Sequence, residues 1–193
     1  MKQMKKKYAA NPIKKHQGMT FIEVIIALVI LVTGILGAVA MQATAKQGSF
    51  DAMQRSIASS LAQDIIGRMR AHAPSLNPNL TLNTYIRDDY GDVLDGVPVN
   101  ACNTIAACPP ASIAANDRFE WERALMGGDI TAAGASVGGL VKGRGCIAQN
   151  GNMYTVVVSW QGRNDTADAG VGANACGAGS LKRRQVVVEA FIY

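Results

Sequence analysis

An uncharged apolar run near the N-terminus constrains this chain more than any other feature of its sequence. The eighteen residues from Val24 to Met41 contain no charged side chain, and a single carboxylate, Glu23, directly precedes them. A helix needs about 20 apolar residues, at roughly 1.5 Å each, to cross the roughly 30 Å hydrocarbon core of a bilayer. The stretch from Met19 to Met41 is therefore long enough to span a membrane.

The excess positive charge of the chain lies ahead of this run. The net charge is +5, from nineteen basic and fourteen acidic residues, and six of the lysines lie in the first fifteen residues, where there is no acid. Without those lysines the chain has thirteen basic and fourteen acidic residues, a net charge of −1. Lysines before a span favour a cytoplasmic N-terminus and an exported C-terminal part. The basicity therefore indicates targeting and argues against a nucleic-acid-binding domain.

Two ordinary explanations of the run leave observations unexplained. A plain signal anchor accounts for its length and orientation but gives Glu23 no role. A cleaved secretory signal would use the A-x-A sequence Ala38-Val39-Ala40, but the apolar stretch exceeds the roughly 7–15 residues usual for such signals. A carboxylate at the head of the run also fits a secretory signal poorly.

The residues at the head of the run supply a third explanation. Gly18-Met19-Thr20-Phe21-Ile22-Glu23, between a lysine-rich leader and an apolar helix, resembles the processing site of type IV prepilins. The resemblance implies that prepilin peptidase cuts after Gly18 on the cytoplasmic side, that the helix is retained, and that Met19 is N-methylated. It also implies that Glu23 pairs with the N-terminal amine of a neighbouring subunit. This chain has Met19 where the family usually has Phe.

The cost of a charge in a membrane favours this resemblance. A charged residue at the centre of a transmembrane helix costs about 2.5–3.5 kcal/mol on insertion scales, and such residues usually have a partner. Cleavage after Gly18 creates a cation four residues from Glu23, and a stack of subunits can supply that amine in trans. Gly34 and Ala38 form a small-xxx-small pair, which lets helices approach closely. We therefore expect processing at Gly18 and Met19, and assembly contacts from Met19, Glu23, Gly34 and Ala38.

Beyond Met41 the helical pattern continues but becomes amphipathic. Apolar side chains recur at spacings of three and four, at Phe50, Met53, Ile57, Leu61, Ile65 and Met69. No proline occurs between Pro12 and Pro74, so the sequence predicts one helix from Thr20 to His72. A one-sided apolar stripe predicts that a globular domain packs on this second half.

The remaining sequence predicts a small domain rich in β-structure. Residues 153–160 and 184–193 are rich in β-branched and aromatic side chains and predict strands, residues 140–147 predict a weaker strand, and residues 112–125 predict a short helix. Loops are predicted at 74–98, 127–145 and 163–179. This order of elements resembles the type IV pilin fold, an α+β fold in which a long N-terminal helix packs on a small antiparallel sheet.

The predicted organisation has four parts. These are a cleaved basic leader at residues 1–18, a transmembrane and filament-core helix at 19–41, its amphipathic half at 42–73, and an exported globular domain at 74–193. The resemblance implies a single-pass inner-membrane protein with a cytoplasmic N-terminus and a periplasmic domain, which is later assembled into an extracellular pilus.

Four cysteines lie on the predicted exported side. An even number there predicts disulfides, for which three pairings are possible. We expect Cys102–Cys108 and Cys146–Cys176, the first closing a small loop and the second joining the approaches to the last two strands. The absence of a C-x-x-C motif, with His16 and His72 as the only histidines, argues against zinc.

The sequence contains no recognisable catalytic constellation, and we expect neither an enzyme nor a cofactor. The acidic cluster Asp88, Asp89, Asp92 and Asp95 departs from EF-hand spacing, so a solvated loop is expected, with calcium binding as the alternative. The run Lys182-Arg183-Arg184 is expected to be a solvated loop, with contact to DNA phosphates as the alternative.

The resemblance extends to minor pilins of the PilV type. It rests on the four cysteines, the Cys-Pro-Pro and Phe-Glu-Trp-Glu-Arg-Ala-Leu stretches, and Cys176-Gly177 before Arg183-Arg184. It implies a subunit at or near the pilus tip that primes assembly with other minor pilins and the major pilin. Such a subunit would support adhesion and twitching motility, and a tip adhesin would be a further partner. The alternatives are a minor pseudopilin of a type II secretion system and a periplasmic binding protein released by cleavage after Ala40.

Overall fold

The structure is a computed structural model that describes residues 18–72, 81–99, 102, 108–128, 130–136, 138–166 and 176–192. The predicted leader lies outside these residues except for Gly18, and so does Pro74. The chain forms two compact units that divide between Ala45 and Lys46. Each unit is described below by itself.

In the first unit, the described residues are Gly18–Thr20 and the N-terminal part of one long helix. This helix, α1, runs from Phe21 to His72, one residue shorter than predicted. Every residue from Phe21 to Ala45 is exposed, although most are apolar. The helix is long and apolar enough to cross a membrane, and none of its most apolar window is buried within the chain. Its side chains therefore lack the cover that apolar surface requires in water.

The second unit contains the rest of α1 and the elements that follow it. A 3₁₀ helix at Asn83–Tyr85 precedes strand β1 (Arg87–Tyr90), helix α2 (Pro110–Leu125) and the strands β2 (Thr131–Ala132) and β3 (Ala135–Ser136). The last three strands are β4 (Arg144–Asn150), β5 (Met153–Gln161) and β6 (Arg183–Phe191). Strands β1, β4, β5 and β6 form one antiparallel sheet in the order β1-β4-β5-β6, while β2 and β3 pair separately.

The central strands are joined by a tight hairpin. Asn150 of β4 pairs with Met153 of β5, which leaves a two-residue turn of Gly151 and Asn152. Gly151 has a φ of +62°, a conformation that a residue with a Cβ rarely adopts and that such turns require. The turn therefore determines the register of the β4–β5 pair.

The core lies between the sheet and the second half of α1. Tyr154, Val156, Val158 and Trp160 alternate along β5 and are all buried, so they share the face of the sheet that forms the core. They belong to one apolar cluster with α1 residues that include Ala62 and Ile65. The predicted fold class is confirmed: a long N-terminal helix packs on a small antiparallel sheet in an α+β pilin-like fold with two disulfides.

The buried face of α1 is displaced from the predicted apolar stripe. Met53 is 51% exposed, whereas Gln54, which the pattern placed outside the stripe, is only 3% exposed. The Gln54 side chain accepts a hydrogen bond from the backbone N–H of Val141 (3.0 Å) and donates one to the Gly139 carbonyl oxygen (3.4 Å). Because both backbone partners compensate its burial, a polar residue occupies a position that periodicity assigns to solvent.

Helix α2 is held against α1 and the sheet through Trp121. Its indole Nε1 donates a hydrogen bond to the Leu61 carbonyl oxygen of α1 at 2.8 Å. Its ring meets the Tyr90 ring edge-on, with ring centroids 5.1 Å apart. A Cβ at Gly145 would lie 2.4 Å from the same indole, so β4 requires glycine where the ring packs.

Two predicted loops contain regular structure. The 74–98 region includes the 3₁₀ helix and β1, and the 127–145 region includes the β2–β3 hairpin, so the loop predictions were wrong there. The weaker strand predicted at 140–147 is β4 and begins at Arg144. Strand β1 is short, and Tyr90 is the one residue of it that is buried. Its sequence, Arg-Asp-Asp-Tyr, therefore lacks the apolar alternation by which strands are predicted.

Both disulfides join segments of the second unit. Cys146 of β4 is bonded to Cys176, which precedes β6, with 5.7 Å between the Cα atoms. Cys102 is bonded to Cys108 ahead of α2, with 5.8 Å between the Cα atoms. These are the two pairs expected from the sequence.

The two disulfides are expected to contribute unequally to stability. In the chain-entropy model, the loop of 30 residues closed by Cys146–Cys176 corresponds to about 3–4 kcal/mol and the loop of six closed by Cys102–Cys108 to about 2 kcal/mol. The double variant Cys146→Ser/Cys176→Ser should therefore unfold at lower denaturant than Cys102→Ser/Cys108→Ser. Chemical denaturation of each detergent-solubilised variant measures the midpoint of unfolding. A lower midpoint for Cys102→Ser/Cys108→Ser than for Cys146→Ser/Cys176→Ser would contradict this expectation.

A charge cluster joins α1 to α2 near the end of α1. The Arg68 guanidinium donates hydrogen bonds to Asp64 (3.0 Å), Asp117 (2.9 Å) and Glu120 (2.9 Å). Asp117 also accepts a hydrogen bond from the buried Tyr85 hydroxyl at 2.9 Å. The hydrogen bond from Arg68 lowers the pKa of Glu120 below its usual value.

This cluster predicts a pH dependence of stability. Because the pKa of Glu120 is lowered on folding, its contribution is complete above the unfolded-state pKa of about 4.3 and is lost as the pH falls through the lower folded-state value. Arg68→Gln should therefore lower the melting temperature more at pH 7 than below pH 4, where the difference from wild type should shrink. Arg70→Gln, an exposed position on the same helix, is the control. A difference in melting temperature between Arg68→Gln and wild type that does not change with pH would contradict the stabilising role of the Arg68–Glu120 pair.

Candidate functional site

The predicted processing bond lies just before the first helical residue. Gly18, Met19 and Thr20 are outside regular secondary structure, and α1 begins at Phe21. The Thr20 carbonyl oxygen accepts hydrogen bonds from the N–H groups of Glu23 (3.1 Å) and Val24 (3.3 Å), so it supports the first turn. Gly18 is exposed and Met19 is 72% exposed. The Gly18–Met19 bond is therefore neither helical nor covered by the described part of the chain.

Glu23 lies in the first turn of α1. A carboxylate in a first turn is favoured by the partial positive charge of the free N–H groups there. Its side chain is exposed, and the hydrogen bonds and ion pairs among the described residues do not include its carboxylate. Met19, which becomes the N-terminal residue if the chain is cut after Gly18, lies four positions earlier. Glu23 is thus available to a partner outside the chain.

Gly34 and Ala38 lie one helical turn apart in the uncharged part of α1, where i and i+4 positions share a face. A Cβ at Gly34 would meet no atom within 4 Å, so the glycine is not needed for packing within the chain. The only hydroxyl near them, that of Thr33, donates to the carbonyl oxygens of Val29 and Ile30, both at 2.9 Å. This polar group is therefore satisfied inside the helix, as a membrane segment requires.

Residues 13–39 match a family model described as the prokaryotic N-terminal methylation motif. The chain carries a prepilin-type motif. The matched range contains every predicted processing and assembly residue, namely Gly18, Met19, Glu23, Gly34 and Ala38. Neither the curated proteins nor the solved structures include a match to the chain.

The methylation motif supports a coarse class for the protein. It supports a type IV pilin-like or pseudopilin protein that prepilin peptidase processes and that assembles with other pilins. Together with the exposed apolar part of α1, it fits a membrane-anchored subunit. Such a motif indicates a structural protein whose function depends on its contacts.

The cysteines and the one described histidine are engaged within the fold. All four cysteines are in disulfides, so no thiolate is available to a metal. His72, at the end of α1, is 6% exposed, and its Nε2 lies 3.2 Å from an Asp117 carboxylate oxygen. His16 lies outside the described residues. The packing of His72 against Asp117 is a structural contact between α1 and α2.

Three of the four carboxylates in the predicted acidic loop are paired with arginines, and the loop prediction was wrong for Asp88 and Asp89, which lie in β1. Arg87 donates hydrogen bonds to the carboxylates of Asp89 (2.8 Å) and Asp95 (2.5 Å), and Arg144 donates one to Asp92 (2.7 Å). The hydrogen bond from Arg87 lowers the pKa of Asp89. Among the described residues, no group of three or more acidic, histidine or cysteine side chains converges on a point that a metal could occupy.

The basic run at the start of β6 differs from the predicted solvated loop. Arg183 is only 6% exposed and donates hydrogen bonds to the Ser159 hydroxyl (3.0 Å) and the Lys142 carbonyl oxygen (3.3 Å). Arg184 forms an ion pair with Asp51 of α1 at 3.1 Å. The prediction was wrong for both arginines, because they lie within a strand where neighbouring elements cover them.

Sequence reasoning missed a buried carboxylate that shapes this end of the domain. Glu122 of α2 is completely buried and accepts hydrogen bonds from the N–H groups of Gly91 (2.7 Å) and Asp95 (3.2 Å). It therefore fixes the loop that follows β1. The sequence contained one indication of this burial: Glu122 lies three residues from both Phe119 and Leu125, on the apolar face of α2.

The arginine pairing predicts how the domain responds to calcium. Because the carboxylates of Asp89, Asp92 and Asp95 already have guanidinium partners, added Ca²⁺ would have to displace them. We expect the melting temperature of the solubilised chain to be the same with millimolar Ca²⁺ as with a chelator. A rise in melting temperature with Ca²⁺, absent in Asp92→Asn, would contradict this expectation.

Proposed function

We propose that this protein is a minor pilin of a type IV pilus, cut after Gly18 and built into the filament by its retained helix. The observation that carries the proposal is the combination of an unpartnered first-turn carboxylate, Glu23, with an uncharged helix that the chain itself does not cover. The methylation motif at residues 13–39 accounts for both features. A signal anchor accounts only for the helix.

The assembly step follows from the chemistry of the N-terminus. Hydrolysis after Gly18 leaves a cationic amine on Met19, which methylation does not neutralise. In an apolar filament core this amine and the carboxylate of Glu23 are both costly unless they pair. The Met19 amine of one subunit and the Glu23 carboxylate of its neighbour would satisfy each other, so the pair would determine the axial position of the subunits.

The exported domain supports a location outside the cytoplasm. Two disulfides in a unit this small are typical of proteins that fold in an oxidising compartment. The membrane-spanning helix would anchor the subunit in the inner membrane until assembly, with residues 74–193 in the periplasm. We therefore assign residues 1–18, 19–41, 42–73 and 74–193 the roles of leader, filament-core helix, amphipathic half and exported domain.

The narrower proposal, a PilV-type subunit at or near the tip, rests on the resemblance of the cysteine pattern and the α2 sequence. Such a subunit would prime assembly with other minor pilins and the major pilin. It would support adhesion and twitching motility, and a tip adhesin would be a further partner. The second candidate is a minor pseudopilin of a type II secretion system, since the N-terminal motif serves both classes.

Replacing Glu23 tests the assembly step. Glu23→Val should leave processing and membrane insertion intact but reduce the chain in sheared filaments about a hundredfold or more, because removing one partner of a buried charge pair costs about 3–5 kcal/mol. Thr33→Val, which removes a hydroxyl already bonded within the same helix, is the matched control and should assemble normally. Equal incorporation of the two variants would contradict the role of Glu23.

Deleting the gene separates the two candidate functions. The pilus proposal predicts loss of surface pili and twitching with normal secretion of exoproteins, restored by the wild-type gene. Loss of exoprotein secretion with normal pili would overturn the proposal in favour of the pseudopilin.

A further inference from the structure

Three chain segments meet at one end of the four-stranded sheet. In the antiparallel register β4 begins, β5 ends and β6 begins at this end, where Arg144 pairs with Ser159 and Gln161 pairs with Arg183. The segments that adjoin these strand ends are residues 140–143, 162–166 and 180–182. The side chains of these segments therefore share one end of the second unit.

Backbone hydrogen bonds hold the segments side by side. The Gly162 N–H donates to the Lys182 carbonyl oxygen at 2.8 Å, which joins the segment after β5 to the segment before β6. The Gln161 N–H donates to the Val141 carbonyl oxygen, also at 2.8 Å, which joins the end of β5 to the segment before β4. The three segments thus form one continuous surface.

Helix α1 contacts the same end of the sheet where it enters the second unit. That unit begins at Lys46. Arg184, at the start of β6, forms an ion pair with Asp51 of α1 at 3.1 Å. The Arg163 guanidinium carbon lies 4.5 Å from the centroid of the Phe50 ring. The first residues of α1 in this unit therefore adjoin the surface formed by the three segments.

This surface has an excess of unpaired positive charge, and we call it the basic end. Its exposed basic side chains are Lys46, Lys142, Arg163 and Lys182. The ion pairs among the described residues include none of these four. The one carboxylate in the three segments, that of Asp165, is also exposed. The basic end can therefore attract anions from outside the chain.

A buried guanidinium lies behind the basic end. Arg183 is 6% exposed, and in the described part of the chain it has hydrogen bonds to the Ser159 hydroxyl and the Lys142 carbonyl oxygen but no carboxylate partner. Its Nε has no hydrogen-bond partner there. A buried charge without a counterion is costly, and an anion at the adjoining surface would reduce that cost.

The opposite end of the sheet differs in charge. The β4–β5 hairpin turn and the end of β6 lie there. Glu189 is the only charged residue among residues 148–153 and 189–191. The positive charge is thus confined to the end of the sheet at which α1 enters the second unit.

The basic end also exposes apolar side chains beside its lysines. Leu181, next to Lys182, is 63% exposed, and Val141, next to Lys142, is 42% exposed. At a membrane surface, apolar side chains enter the boundary between headgroups and acyl chains while basic side chains meet the phosphates. A nucleic acid would pair with the lysines but would leave these apolar side chains without a partner. The combination therefore favours a lipid surface.

We propose that the basic end binds the anionic phospholipid headgroups of the membrane in which the apolar part of α1 is anchored. This inference rests on the membrane anchor of the proposed function. Lys46 follows Met41, the last residue of the uncharged run, by five positions, so the chain reaches the second unit directly after the proposed span. Each basic residue near an anionic membrane surface favours binding by about fivefold. The contact would hold the domain at the membrane until the subunit is assembled.

Photo-cross-linking to lipid tests the contact. The full-length chain, with a benzophenone amino acid at Leu181, is reconstituted into nanodiscs of phosphatidylcholine alone or mixed equally with phosphatidylglycerol. Mass spectrometry should find lipid adducts at Leu181 in the anionic nanodiscs and about fivefold fewer in phosphatidylcholine alone, because the anionic headgroups are absent there. The same group at Met153, which is 39% exposed at the opposite end of the sheet, is the matched control and should form no adducts.

Charge substitutions test which residues hold the lipid. Lys142→Gln and Lys182→Gln should each lower the adduct yield at Leu181 in anionic nanodiscs about two- to fivefold, because each removes one positive charge from the surface. Arg70→Gln removes one from the last turn of α1, outside the basic end, and should leave the yield unchanged. About 1 M salt should also lower the yield, since the Debye length then falls to about 3 Å. Disulfide formation in each variant checks that the domain folds.

A benzophenone at Leu31, in the uncharged part of α1, separates this inference from the membrane anchor on which it rests. Adducts at Leu31 without adducts at Leu181 would overturn the present proposal and leave the anchor intact, and so would equal yields at Leu181 in the two kinds of nanodisc. Absence of adducts at Leu31 would contradict the anchor and the present proposal together. Retention of duplex DNA by the solubilised chain at low salt, lost in Lys182→Gln, with no lipid adduct at Leu181, would overturn the proposal in favour of nucleic acid.

Discussion

The eighteen uncharged residues between Val24 and Met41 present apolar side chains on every side of α1, and the chain buries none of them. A helix that is apolar all round is stable only in lipid or against other protein surfaces. The other N-terminal features are consistent with this requirement. The Gly18–Met19 bond is exposed, as the proposed removal of residues 1–18 requires, and Glu23 is the residue at which we propose that a second subunit binds.

The second half of α1 meets a different requirement, because a small domain packs on it. Alanines at positions 58 and 62 are completely buried, so they bring the helix backbone close to the sheet. Trp121 then bonds directly to the Leu61 carbonyl oxygen, and Arg68 joins three carboxylates from α1 and α2. One disulfide joins β4 to the segment before β6 and the other closes a loop ahead of α2, so a domain with a modest core is stabilised by cross-links.

Sequence patterns predicted the elements whose stability depends on apolar side chains at regular spacing. Helix α1, α2 and strands β5 and β6 were found within a few residues of their bounds, because helical and strand periodicities leave a clear signal. Strand β1 and the buried positions of Gln54 and Glu122 were not found. Each of these depends on polar groups that bond to a distant backbone, and a tertiary partner of this kind leaves no local pattern. The N-terminal methylation motif was predictable for the opposite reason, since it is short and contiguous in the sequence.

The mature N-terminus is the most direct test of this account. Mass spectrometry of the chain isolated from membranes and from filaments should find Met19 as the first residue, carrying one methyl group on its amine. This result would show that the leader is removed and that the apolar helix with Glu23 is retained. A first residue at Met41, which corresponds to cleavage after Ala40, or an intact leader in the filament fraction would contradict the account.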